Sequence, residues 1–347
     1  MMKKEKTANK THSALPLRGA GRGLLFFVLL LLANLYFGAV HIPMQAVTDI
    51  LLGHDADRTS WAFIIWENRV PQAITAALSG AGLAVAGLLL QTLFRNPLAG
   101  PGLLGIDSGA NLGVAIAMLA LGGSFMAGAF SLSGFLLVII AAFVGALAVM
   151  LVLIAFASTL RSDVMLLIVG VMIGYLASSA ISLLNYGATE EGVRSFMMWG
   201  LGSFANVTTD RLPAFVITMS IGLVAALLFI KPLNALLLGD NYASNLGISV
   251  RRARTYLLII TGLLTATSVA FCGPISFIGL AVPHLARLFL GTANHRSLLP
   301  ATILTGACLA LVCNLICTLP THGLIPINVI TPVLGAPVVI WIILRKN

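Results

Sequence analysis

Long apolar runs, separated by short polar or glycine- and proline-containing breaks, fill this chain from Arg22 to Leu344. A helix needs roughly 17 to 25 such residues to cross a hydrocarbon core of about 30 Å. Ten runs meet that need: Arg22–Val40, Gln72–Leu93, Leu104–Leu121, Gly134–Ala157, Met165–Leu184, Leu212–Ile230, Thr255–Phe271, Pro274–Leu290, Leu298–Cys317 and Ile327–Leu344. The pattern predicts an all-α integral membrane protein with about ten transmembrane helices in one bundle. Residues 21–347 form that single domain, after a polar, basic and disordered tail over residues 1–20.

The breaks are uneven. On one side the longest are His41–Pro71 and Tyr186–Pro213, the latter holding "MMWGLGSF" (197–204), a candidate short helix at the interface. On the other side Lys231–Arg254 has room for two short helices, broken at Gly239 and Gly247. Between the second and third spans, "QTLFRNPLAGPGLLGIDSGANLG" (91–113) interrupts the apolar pattern with Arg95, Asn96, Pro97 and Pro101. A residue before proline avoids the α region, and irregular backbone at membrane depth is tolerated only against protein or a water-filled cavity. Asn96 and its loop therefore face a pathway or a partner, or else form a simple inner turn. Within the second span, Gly80, Ala84 and Gly87 share one helical face, which suits close helix packing.

Composition sharpens the class. The chain is 59% hydrophobic and 9% charged, against about 25% charged in a soluble domain. The net charge of +9 would suit nucleic acid, but its distribution excludes that: with an inner N-terminus, sixteen Lys and Arg fall inside and only Arg58, Arg69, Arg194 and Arg211 outside. Both termini are expected in the cytoplasm. The Lys-rich start followed by an apolar run imitates a secretory signal, but with no convincing cleavage site it is read as an uncleaved first helix. Cys272, Cys308, Cys313 and Cys317 lie in or beside spans, which suits buried small hydrophobes better than a disulfide framework.

The chemistry is sparse. Asp107 and Asp163 sit near span ends and no carboxylate lies mid-span, which weakens an ion-coupled carrier. No G-x-x-x-x-G-K-[ST] phosphate loop is present, so an ATP-driven role requires a separate motor. No H-E-x-x-H or G-x-S-x-G motif supports hydrolysis, and His284 reads as a packing or helix-end histidine. Cys313 and Cys317, four apart, make too poor a ligand set for a metal site.

Five segments in order resemble the FecCD/BtuC family of ABC importer permeases: 66–113, 197–204 (MMWGLGSF), 236–254 (LLLGDNYASNLGISVRRAR), 273–307 and 328–345. The resemblance implies a homodimer with the conduit on its two-fold axis. It also implies two cytoplasmic ATPase subunits that carry ATP and Mg, with no cofactor in this chain, and an extracytoplasmic substrate-binding protein. By the same likeness the segment 231–254 supplies coupling helices that meet the ATPase, through Leu238, Gly239, Ala243, Leu246 and Gly247. Asn96 and Leu98 match a cytoplasmic gate, with Ser162, Asp163 and Val164 as its second element. Arg69 matches an arginine that docks the binding protein. The family's second basic residue is here Gln72, and its Asp and Arg near the end of the ninth span are replaced around Cys313, Asn314 and Cys317. Either Arg194 or Arg211 is then expected to take over docking, or docking relies on other contacts. These likenesses point to a permease of the bacterial inner membrane for a ferric siderophore or haem. Cobalamin is the alternative cargo, and an ATP-independent channel or carrier, or a structural scaffold, is the alternative class.

Overall fold

The computed structural model describes residues 15–54, 58–122, 124–127, 130–159, 163–320 and 325–345. Residues 1–14 of the expected tail and the gate candidate Ser162 lie outside that set. Helix α1 (Leu15–Tyr36) takes in the last residues assigned to the tail. In the first long break follow α2 (Met44–Leu51) and α3 (Thr59–Phe63). A π-helical turn, Ile64–Arg69, then carries α3 into α4 (Val70–Leu93). The second span is thus one helix of 35 residues starting at Thr59, not at Gln72. Pro71 lacks the N–H that an α-helix directs back four residues, and the wider turn immediately before it lets the helix continue.

A 3-10 turn, Pro101–Leu104, leads into α5 (Ile106–Ala115), which continues through a π turn to Ala120. A small antiparallel pair, β1 (Ser124–Ala127) and β2 (Phe130–Ser133), connects it to α6 (Gly134–Thr159). Then come α7 (Asp163–Gly187), α8 (Glu190–Gly200) and α9 (Leu212–Leu228), which bends by 53° into α10 (Ile230–Leu237). The chain ends with α11 (Asp240–Asn245), α12 (Val250–Cys272), α13 (Ile278–Leu290), α14 (His295–Thr318) and α15 (Ile327–Arg345). Five of these helices are long and apolar enough to cross a membrane, six if the bent α9–α10 pair is one span, and four shorter apolar helices lie where the other expected spans were placed. The "MMWGLGSF" segment lies partly in α8, as expected for a short helix in the second long break.

Helix α4 is the hub, packed against α9, α12, α13 and α14. The contact is made by backbone. A Cβ on Gly80 would stand 2.3 Å from the Gly306 carbonyl oxygen of α14, and one on Gly87 would stand 1.7 Å from that of Gly279 in α13. Gly109 of α5 and Gly145 of α6 meet in the same way, at 2.5 and 2.1 Å. Small residues thus bring helices into van der Waals contact where lipid offers no hydrophobic drive. One buried apolar cluster draws residues from Ala73 through Ile327, and a smaller one (Ile42, Ala46, Val47, Ile50, Ile65) seats α2 beneath the start of the long helix. The four cysteines are buried.

Candidate functional site

Polar side chains gather at each end of the bundle, besides the buried hydroxyls of α4 and α12 (Thr75, Ser79, Thr261, Thr265, Thr267 and Ser268). At one end, α4 stops at Phe94 and the chain turns at Arg95, whose φ of 46° is left-handed. The Asn96 N–H donates back to the Gln91 carbonyl at 3.2 Å and the Arg95 N–H to that of Thr92 at 3.3 Å, closing the helix end. Asn96 Oδ1 then accepts the Leu98 N–H at 2.9 Å, a local turn that leaves Leu98 exposed. His284, midway along α13, donates from Nε2 to the Pro97 carbonyl at 2.7 Å, so this histidine packs against the loop and does not lie at a helix end. The 3-10 turn that follows rests on α7, where a Cβ on Gly170 would come within 2.7 Å of the Leu104 Cα. Val164, at the start of α7, is exposed; of Asp163 only its backbone place at the head of that helix is described.

The segment 231–254 lies at this same end and has the expected form. Helices α10 and α11 are divided at Gly239 (φ 108°), and α11 is followed by Gly247 (φ 79°), both conformations that favour glycine. The five candidate residues divide by position. Leu238 and Leu246 are exposed and, with Tyr242, form an apolar prominence. Ala243 is fully buried, so it anchors α11 to the bundle and cannot itself face a partner.

Side chains that sequence reasoning passed over tie this segment to the bundle. Asp240 accepts from Arg254 at 2.8 Å and from Arg95 at 3.4 Å. Asn234 Oδ1 accepts both the backbone N–H and the Nδ1–H of buried His295, at 2.8 and 3.0 Å, and His295 Nε2 meets the Thr92 hydroxyl at 2.8 Å. Gln91 donates to the Leu280 carbonyl and accepts from Arg287 at 2.7 Å. The available signal was a cluster of polar residues closing several apolar runs at one depth.

At the opposite end, a cavity of about 580 Å³ opens between α4, α14 and the 199–208 segment, lined by Gln72, Trp199, Asn206, Arg211, Asn314 and Cys317 among others. Its wall carries a chain of neutral amides. Gln72 donates to Asn314 at 3.0 Å, Asn314 donates to Asn34 at 2.8 Å, and Asn34 donates to the Leu30 and Leu311 carbonyls. Three helices are joined here without charge.

The expectation that Arg69 docks a partner does not fit its placement. Arg69 is 6% exposed, and its guanidinium donates to the carbonyls of Leu35, Tyr36 and Val40 at the end of α1. Leu35 and Tyr36 are among the acceptors a helix leaves unpaired at its C-terminus, Val40 lies just beyond it, and Gly38 leaves the space, since a Cβ there would stand 3.3 Å from the arginine Nε. Gln72 is likewise engaged with Asn314. Exposed Arg58, exposed Arg194 on α8 and the partly exposed Arg211 are cations presented at this end. Arg211 lies 4.1 Å over the Phe135 ring and 3.7 Å from Asp210. The Thr208 hydroxyl and then the Arg211 charge hold the exposed Asp210 carboxyl below the usual carboxylate range.

Comparison with known proteins gives this arrangement a family. The FecCD transport family matches residues 25–345. The hemin transport system permease HmuU of Yersinia pestis is 35% identical over 332 residues, which cover 94% of this chain and 96% of that protein. The vitamin B12 import permease BtuC of Klebsiella pneumoniae is 39% identical over 284 residues, 82% of this chain and 83% of that protein. A solved structure described as an inward-facing conformation of a metal-chelate type ABC transporter superposes with a TM-score of 0.82 at 28% identity, covering 96% of this chain and all of the other. With apolar helices along its length, the polar groups described at the two ends of the bundle and this match along almost its whole length, the chain belongs to the FecCD transport family, as a multi-pass membrane permease subunit of the ABC importer type.

Proposed function

We propose that this chain is the membrane subunit of an ATP-driven, binding-protein-dependent importer in a bacterial inner membrane, both termini cytoplasmic, carrying a ferric siderophore or haem. The observation that carries the reading is the Arg95 end, where two short glycine-bounded helices with an exposed Leu238–Tyr242–Leu246 prominence sit beside an irregular loop at the end of the central helix. The prominence is suited to seat in a cleft of a cytoplasmic ATPase, which holds the ATP and Mg. Gly239 and Gly247 shape it, and Ala243 fixes it to the bundle. Asn96 and Leu98, with Ser162, Asp163 and Val164 from the approach to α7, form the gate on that side. At the other end Arg194 and Arg211 dock the binding protein from the rim of the cavity, where charged pairs steer encounter and register.

Two copies make the conduit. Helix α7 supports this, because Val164, Met165, Ile168, Met172, Tyr175, Leu176 and Leu183 are exposed along it in the single chain. A second copy on a two-fold axis would cover part of that face and enclose a pathway without deep charge, offering a bulky ligand few places to be trapped.

The test is ATP-dependent uptake by the reconstituted assembly with its own ATPase and binding protein, offered ferric siderophores, haem and cobalamin in parallel. Selective uptake of an iron chelate or haem is expected. Selective uptake of cobalamin, the cargo named for the BtuC relative, would keep the machine and change its substrate. Saturable flux through the permease alone without ATP would overturn the importer reading in favour of a channel or carrier.

A further inference from the structure

Arg95 occupies a backbone position that ordinarily selects glycine. It is the left-handed residue of a complete helix-closing motif, with the Asn96 N–H on the Gln91 carbonyl and its own N–H on that of Thr92. A residue with a Cβ is disfavoured there. From that turn its guanidinium reaches Asp240 Oδ1 at 3.4 Å, in the first residue of α11, while Asp240 Oδ2 accepts from Arg254 near the start of α12 at 2.8 Å. A single carboxylate therefore joins three elements: the loop after α4, the second short helix, and the helix that follows it. The Arg95–Asp240 pair itself adds little stability. The Arg95 and Asp240 side chains are 44% and 36% exposed, and ion pairs so solvated contribute little to folding.

We propose that Asp240 is a positioning residue that links α11 to the 94–100 loop through Arg95, so that displacement of the short helices is carried to that loop. This rests on the importer reading above. Helix α10 is held to the same end of α4 independently, by Asn234, buried His295 and Thr92. Loss of the Asp240 link therefore leaves the segment attached and folded while freeing α11 to move apart from the loop.

The experiment compares the parent assembly with assemblies carrying Arg95→Gly, Arg95→Lys or Asp240→Asn, reconstituted with the ATPase and binding protein. It measures ligand transported per ATP hydrolysed, together with thermal unfolding of the permease. Arg95→Gly should unfold at the same temperature as the parent or higher, because glycine suits the turn. Its transport per ATP should fall about fivefold or more, the lower range of coupling between sites. Asp240→Asn should fall alike, and Arg95→Lys should retain most of the parent ratio. Parent-like ratios in both Arg95→Gly and Asp240→Asn would overturn the link, as would a loss in Arg95→Gly that only tracks a lowered unfolding temperature. Absence of ATP-driven uptake in the parent itself would reject the importer reading, and the link with it.

Discussion

Helices α4 and α7 are alike in sequence terms and opposite in place. Both are long and apolar, with mean hydropathies of 2.0 and 2.3 over their most apolar windows, yet 89% of that window is buried for α4's continuous helix and 17% for α7. Hydropathy reports that a helix can leave water; it does not report what replaces the water. The difference lies in side-chain size. Helix α4 carries Gly80, Ala84 and Gly87 toward α14 and α13, whereas α7 turns Gly170 and Gly174 toward the Leu104 turn and α5 and leaves large apolar residues facing outward. In a membrane, small residues mark helix–helix contact and large ones mark lipid or a partner yet to arrive.

The largest effect that bears on this contrast is expected on α4. Gly87→Ala places a methyl group 1.7 Å from a backbone oxygen that has no rotamer with which to yield. Overpacking of this kind costs about 1–3 kcal/mol and occasionally more, and here we expect the upper end, read as a sharp loss of thermal stability and of folded yield in detergent. A parent-like variant would show that α4 is not held by backbone contact. Next comes Asn314→Ala, which breaks the amide chain on both sides and leaves the Gln72 and Asn34 amides short of partners. An unsatisfied buried group costs roughly 1–3 kcal/mol, so thermal unfolding should shift downward measurably; no shift would mean that water replaces the lost amide.

A smaller effect tests α7. Leu176, 71% exposed in the single chain, should matter for the pair and not the fold. Leu176→Ala is expected to raise the monomer fraction in detergent, by up to about tenfold in dissociation constant if roughly 1.4 kcal/mol of contact is lost, while single-chain stability holds. Leu228→Ala, at an equally exposed position on α9, is the control; identical behaviour of the two would place the two-fold axis elsewhere. Least of all should change at Asp210. Its folded-state carboxyl titrates below the ordinary range, so whatever it contributes is present at neutral pH and is lost only as pH falls below about 4. Being fully exposed, Asp210→Asn should leave unfolding at pH 7 unmoved, and a visible change would mean that Arg211 depends on it for orientation.

Much of this architecture was legible beforehand because its signals are local. Each span announces itself by a run of apolar residues, and Gly239 and Gly247 break the 231–254 segment where their backbones turn left-handed. The start of the second span was misplaced because Pro71 reads as a boundary, and only the π turn before it shows that the helix passes through. The bonds of Arg69 were hidden for another reason. Sequence places a cation near the outer rim but does not show that the end of α1 presents three carbonyls within its reach. The Asp240 and His295 bonds join residues from 14 to 203 positions apart, a separation at which spacing carries no information.

The glycine seam along α4 also bears on how this sequence can drift. Gly80 and Gly306 each close on the other's carbonyl, and Gly87 closes on Gly279 about two turns further along. No single step that adds a side chain at one of these positions can be answered by trimming its partner, because what it strikes is backbone and cannot be made smaller. Compensation would require the axes of two helices to separate together, which would open α4 to both neighbours at once. Exposed positions can therefore change residue by residue, while this line of contact admits almost no intermediate forms.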